Sequence, residues 1–91
     1  MRQSPFESLE STYEYICLLQ RALADAQGAI EEDIRIAKAD GAERRSQALQ
    51  IVSYKLQALD EHVDASRRLV NDLRTLRRIL LGERNALNQI R

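Results

Sequence analysis

Two long runs of apolar residues, spaced alternately three and four residues apart, constrain the fold of this chain more than any other feature. The first run extends from Phe6 to Ala37 and the second from Leu49 to Leu80. This spacing is typical of helices that pack along one stripe of side chains. One proline and three glycines occur among the 91 residues, so little interrupts either run. The sequence therefore predicts an all-α protein with two long helices.

The first helix has a recognisable beginning at Ser4-Pro5-Phe6-Glu7. Ser4 is predicted to cap the helix, Pro5 to occupy its first position and Glu7 to complete a capping box. The stripe needs Gln20 and Gln27 at two of its steps, and polar residues at such positions commonly fix register or oligomeric state. Its apolar members are Phe6, Leu9, Tyr13, Ile16, Leu23, Ile30, Ile34 and Ala37.

The break between the two runs lies at Asp40-Gly41. Gly41 can end a helix in the left-handed conformation, and Asp40 with Glu43 can equally cap the start of the next helix. One continuous helix through Gly41 would cost only about 1 kcal/mol at that glycine, but it would leave both stripes uncovered. We therefore favour a helical hairpin of coiled-coil character.

The hairpin is predicted to form a single domain over residues 1–91. We expect helix one at about 5–39, the turn at about 40–42, helix two at about 43–81 and a short helical tail at about 83–90, after Gly82. The stripe of helix two is predicted to comprise Leu49, Val52, Leu56, Leu59, Val63, Ser66, Val70, Leu73, Arg77 and Leu80.

Each helix carries a second apolar line that a lone hairpin would leave in water. Because monomers rarely tolerate large exposed apolar patches, we expect two hairpins to associate into a four-helix bundle around a two-fold axis. Docking onto a different protein is an alternative, and so is a short helix at 83–91 that folds back over the patch. The predicted dimer interface comprises Tyr15, Leu19, Ala22, Ala26, Ile51, Tyr54, Ala58 and Leu69.

The net charge of zero conceals an asymmetry between the two halves of the chain. Residues 1–40 carry four basic and eight acidic side chains, whereas residues 41–91 carry ten basic and six acidic ones. A turn at 40–41 places residue i opposite about residue 81 − i, which pairs Glu14 with Arg67 and Glu7 with Arg74. Such flanking pairs set the orientation of antiparallel helices.

The far end of helix two combines arginines with large aliphatic residues and extends past the predicted start of helix one. Arginine and buried apolar anchors dominate binding hot spots, so this end is the predicted site for a protein partner. The alternative is that it completes the homodimer. Its residues are Leu76, Arg77, Arg78, Ile79, Leu81, Arg84, Leu87 and Ile90.

The residue types that support catalysis or metal binding are scarce and scattered. His62 has no Glu-x-x-His spacing, and Cys17 has no nearby histidine or second cysteine. We therefore predict a non-enzymatic interaction protein, an adaptor, small chaperone or inhibitor, with no cofactor and no metal. The single cysteine and the lack of a long apolar segment predict a cytoplasmic protein without membrane contact. Nucleic-acid binding through the arginine-rich half of helix two is the alternative function.

Overall fold

A computed structural model describes the backbone of residues 8–90 and the side chains of residues 8–82. It contains two antiparallel helices, α1 at Ser8–Ala39 and α2 at Glu43–Ile90, which form a hairpin with extents of 76 × 24 × 14 Å. The prediction of an all-helical hairpin is confirmed. The predicted capping box at Ser4, Pro5 and Glu7 lies outside the described residues.

The turn is held by backbone hydrogen bonds that end α1 in a Schellman motif. The N–H of Ala42 donates to the carbonyl of Ala37 at 2.8 Å, and the N–H of Gly41 donates to the carbonyl of Lys38 at 3.2 Å. Gly41 has φ +70°, the left-handed conformation that glycine adopts without steric cost. Of the two predicted roles for this turn, the glycine cap of α1 is therefore the one observed. Ala42, not Asp40, immediately precedes α2.

Gly82 does not end α2. The helix continues from Glu43 to Ile90 in one piece, so residues 83–90 are its last turns and not a separate short tail. An isolated glycine costs a helix only about 1 kcal/mol relative to alanine, and the flanking Leu81 and Glu83 are good helix formers. The same continuity argues against a terminal helix that folds back over the hairpin.

The predicted stripe of α1 faces α2. Ala37 is buried, and the other described members of the stripe, including Gln20 and Gln27, are half-buried. Both glutamines bond across the hairpin. Gln27 Nε2 donates to Ser53 Oγ at 2.6 Å, and Gln20 Nε2 donates to Asp64 Oδ1 at 3.0 Å. The amide oxygen of Gln27 is buried without a partner among the described residues.

The stripe that α2 turns toward α1 differs from the prediction at every second position. Val52, Leu59 and Leu73 are exposed, as are Ser66 and Leu80. Ser53, Arg67 and Arg74, each one place later in sequence, are half-buried there instead, and Ser53 supplies Gln27 with a hydrogen-bonding partner that Val52 could not. The observed stripe of α2 comprises Ser46, Leu49, Ser53, Leu56, Val63, Arg67, Val70, Arg74 and Arg77, with exposed Asp60 completing the spacing.

The register is close to the predicted one, but the ion pairs differ. Arg74 binds Glu10 through two hydrogen bonds of 2.9 Å, one helical turn away from the predicted partner Glu7, which lies outside the described residues. Arg67 bonds to Asp64 on its own helix and not to Glu14. The guanidinium of Arg74 also lies 4.2 Å from the centre of the Tyr13 ring, a cation–π contact that favours this rotamer.

The turn yields a first prediction. Gly41→Ala should lower the free energy of unfolding by about 1 kcal/mol, because alanine is strained at a positive φ. Gly28→Ala, at a helical glycine with open space around its added methyl group, should instead raise it by up to about 1 kcal/mol. Urea titrations followed by helical circular dichroism measure both values. Equal effects at the two glycines would contradict the assigned role of Gly41.

The polar contact inside the hairpin yields a second prediction. Replacing Gln27 by Leu together with Ser53 by Ala removes a buried acceptor that has no partner, so the free energy of unfolding should rise by about 1–3 kcal/mol. Gln57→Leu, at an exposed position of α2, is the matched control and should change stability little. A loss of stability in the double variant would show that the Gln27–Ser53 bond contributes more than it costs.

Candidate protein-interaction face

The exposed apolar lines of both helices lie on the same side of the hairpin. On α1 and on α2 these lines occupy the positions one before and three after the apolar residues that face the other helix. Tyr15 precedes Ile16 in this way, just as Leu69 precedes Val70. In an antiparallel pair of helices, residues at the same sequence offset from the inward-facing residues project to the same side of the pair, whichever helix they belong to. The two lines therefore form one surface, here named the apolar face.

The apolar face is large and open to solvent. Its aliphatic residues on α2 are 43–64% exposed, and Tyr15 on α1 is 67% exposed. Among the described residues, by contrast, only Ala37 and Val63 are buried apolar side chains. The face consists of Tyr15, Leu19, Ala22, Ala26, Ala29 and Ile36 of α1 and of Val52, Leu59, Leu69, Leu73, Leu76 and Leu80 of α2.

The opposite side of the hairpin is hydrophilic. It bears the residues one place after the inward-facing ones, among them Glu31, Gln57 and Asp64. A shallow groove runs along this polar face, and Gly28 lies in its floor. Its walls combine carboxylates with the ends of Leu23 and Leu56, and it is open to water along its length. The hairpin is thus amphipathic as a whole, with one wetted side and one apolar side.

Most of the predicted dimer-interface residues lie on or beside the apolar face. Tyr15, Leu19 and Leu69 belong to it, and Ile51 and Ala58 flank its outer edge on α2. Tyr54 does not, because it projects on the polar side next to Gln57 and is 69% exposed there. The sequence did not point to Leu73 and Leu80 as part of this face, because its prediction placed them between the helices.

The structure does not bring the predicted partner-binding residues together on one surface. Leu76 lies on the apolar face, and Ile79 flanks it. Arg77 is half-buried along the contact line with α1, Leu81 continues that line, and Arg78 is exposed on the polar side. The remaining three, Arg84, Leu87 and Ile90, lie in the helical end of α2 whose side chains are outside the described part of the chain.

Carboxylates already neutralise several arginines of α2. Asp64 accepts hydrogen bonds from Gln20 and Arg67 and lies 3.0 Å from the guanidinium of Arg68. The bonds from Gln20 and Arg67, followed by the charge of Arg68, lower the pKa of Asp64. The bond from Arg74 lowers the pKa of Glu10 in the same way. Arg67 and Arg68 share the carboxylate of Asp64, and Arg74 pairs with that of Glu10.

The two reactive side chains of the chain lie on opposite sides of the hairpin. Cys17 is half-buried on the polar side, and His62 is exposed within the line of the apolar face. They are therefore not placed to act together as nucleophile and base. Within the described ranges, no three histidine, cysteine or carboxylate side chains cluster as metal ligands do. No helix in that part of the chain has an apolar stretch long enough to cross a membrane.

Comparisons with known proteins identify no relative. No protein-family model matches the sequence, and neither a curated protein nor a solved structure shows significant similarity to it. The apolar face and its surroundings are therefore the features that indicate a function.

The lowered pKa values predict how stability depends on pH. A carboxyl group whose pKa is lower in the folded protein stabilises the fold above its ordinary pKa, which is 3.8 for Asp64, and this contribution is lost as the pH falls through the lowered value. Stability should therefore decrease from slightly above pH 4 downward, and Asp64→Asn should weaken that decrease. Asp25→Asn, which removes an exposed carboxylate, is the control. Identical pH profiles for the two variants would contradict the role of Asp64.

Proposed function

We propose that this chain is a non-enzymatic protein-interaction module, an adaptor, small chaperone or inhibitor, and that it is a homodimer joined through the apolar face. The observation that carries the proposal is the distribution of apolar side chains. Many large ones are exposed on the outside of the hairpin, while the contact between α1 and α2 interrupts its half-buried aliphatic residues with glutamine, serine and arginine. We expect a surface of this kind to be buried against another protein chain.

Burial of the apolar face against another protein is energetically favourable. Burial of a leucine side chain contributes about 1.5–3 kcal/mol relative to exposure. The six aliphatic residues that α2 contributes to the apolar face together represent a gain comparable with the whole stability of a typical domain, about 5–15 kcal/mol. The hairpin alone buries few apolar side chains completely, so association would add substantial hydrophobic stabilisation.

The area of the apolar face suits a stable dimer. The hairpin is 24 Å wide, and the 32 residues of α1 span about 48 Å at 1.5 Å per residue. One side of this body offers about 1,000 Å² per copy, which is within the range of specific interfaces, about 1,200–2,000 Å² for both partners together. Two such faces packed together give a four-helix bundle with the polar sides outward. We place this dimer in the cytoplasm, in keeping with the single unpaired Cys17.

Charge inserted into the apolar face tests the proposal. Leu69→Glu should convert the dimer to a monomer with reduced helicity, because a buried unpaired carboxylate is costly. Tyr54→Glu is the matched control, since Tyr54 is 69% exposed against 64% for Leu69 but projects on the polar side. Sedimentation equilibrium at micromolar concentration should show a dimer for the unaltered chain and for Tyr54→Glu.

Two outcomes would overturn the proposal. One is an unaltered chain that is well folded and strictly monomeric. The other is loss of the dimer with Tyr54→Glu and its retention with Leu69→Glu, which would place the interface on the polar side.

A further inference from the structure

The exposed aliphatic residues of α2 are arranged nearly symmetrically about the midpoint at Asp64 and Ala65. Large side chains occur at matching distances before and after this point, so their order along α2 is similar in both directions. The matching pairs are Leu59 with Leu69, Val52 with Leu76, Ile51 with Ile79 and Ala48 with Leu80. Apart from the alanine, each of these side chains is 43–64% exposed.

We propose that a second copy covers the apolar face in the antiparallel orientation, with the two turns at opposite ends of a four-helix bundle. This inference rests on the proposed function. The two-fold axis passes beside Ala65, so that each α2 packs on the α2 of the second copy and each α1 on the other α1. In such an interface every residue meets the one at the same distance on the other side of the axis. A line of apolar residues that is symmetric about the axis therefore brings apolar side chains against apolar side chains.

Side-chain size supports the arrangement. It places Leu76 and Leu80 of one copy against the smaller Val52 and Ala48 of the other, and it fits large side chains into the space left by small ones. The two-fold axis also crosses the apolar line of α1. Because Gln20 bonds to Asp64, Leu19 lies level with the axis and meets its own counterpart.

Two positions beside Leu19 complete the contact between the α1 helices. Tyr15 lies four residues before it, level with Leu23 of the other copy, and Ala22 is the residue next to Leu23 that lies on the apolar face, so the antiparallel orientation brings the tyrosine ring of one copy beside the alanine of the other. The bulkiest side chain that α1 contributes to the apolar face thus meets one of its smallest.

Charge also selects the antiparallel orientation. Lys55 interrupts the line of the apolar face nine residues before Asp64, so the two-fold axis places it against Leu73 of the other copy, nine residues after Asp64. Asp72, the exposed neighbour of Leu73 at the outer edge, is then within reach of the Lys55 ammonium group. An exposed pair contributes little to affinity, about 0–1 kcal/mol, but complementary charges favour one orientation over another.

The rival arrangement places both turns at the same end and packs α2 on the α1 of the second copy. The bond between Glu10 and Arg74 shows which residues would then be level with each other. Leu76 would lie near Ser8 and Thr12, the residues that α1 offers at that level on the same side, and not against Val52. Hydroxyl groups would replace an aliphatic partner there, so this bundle would bury Leu76 less well.

Disulfide cross-linking tests the position of the axis. In a Cys17→Ser background, Ala65→Cys should give a covalent dimer on mild oxidation, because the two residues meet across the axis. Ile79→Cys, on the same edge of α2 but 14 residues away, is the control and should not link to itself. An equal mixture of Ile51→Cys and Ile79→Cys should give a mixed covalent dimer.

The separation of the two turns provides an independent measurement. Spin labels at Gln47→Cys, in the same background, lie about 17 residues from the axis, so the antiparallel dimer should place them more than about 50 Å apart. The rival arrangement keeps them below about 40 Å, a distance set by the width of a bundle. A dimer with the short separation and no link at Ala65→Cys overturns the orientation but leaves the proposed function intact. A strictly monomeric chain overturns both.

Discussion

The hydrogen bonds between the two helices govern which surface this hairpin presents. Gln20 and Gln27 lie on the line of α1 that faces α2, and they bond there to Asp64 and Ser53. Polar groups in a contact of this kind must find partners or lose the hydrogen bonds that water provided. Because Ser53 lies on the contact line of α2 and Asp64 lies beside it on the polar side, these bonds fix the rotation of α2 about its own axis. Its leucines consequently project to the side, where they extend the apolar line of α1.

The sequence predicted those parts of the fold that local rules determine. Gly41 ends α1 because a left-handed residue between two apolar runs is most easily a glycine. The predicted line of α1 was correct because its spacing of three and four residues continues without a break from Leu9 to Ala37. For α2, two readings share every seventh residue from Leu49 onward and differ in whether the residues between are Val52 and Leu59 or Ser53 and Asp60. Apolar periodicity favours the first reading. The choice of the second depends on what α1 offers across the interface, which periodicity within α2 does not reveal.

In the candidate site, too, some features could be predicted from the sequence and others could not. The apolar line of α1 could be predicted, because a second set of large residues beside the first has no other explanation in a lone hairpin. The residues predicted as a partner-binding cluster at the end of α2 do not share one surface. They were chosen by their position along the helix, whereas the surface that a residue faces depends on its angle around the helix axis. Successive residues point about 100° apart, so Arg77, Arg78 and Ile79 face three different directions. The predicted partner of Arg74 was nearly right, because replacing Glu7 by Glu10 moves the contact by less than one turn along α1. The predicted pair of Glu14 with Arg67 was wrong, because Arg67 bonds to Asp64 on its own helix.

The polar contact between α1 and α2 also changes how stability and recognition are related in this chain. In most small domains the core stabilises a fold whose surface then binds partners. Here the contact within the hairpin contains few buried apolar groups, and hydrogen bonds to glutamine and arginine supply direction more than net stability. If the apolar face is covered by a second copy, association provides much of the hydrophobic stabilisation, and folding becomes dependent on protein concentration. The glutamines would then contribute to binding without touching the partner, because they determine which side of α2 faces it.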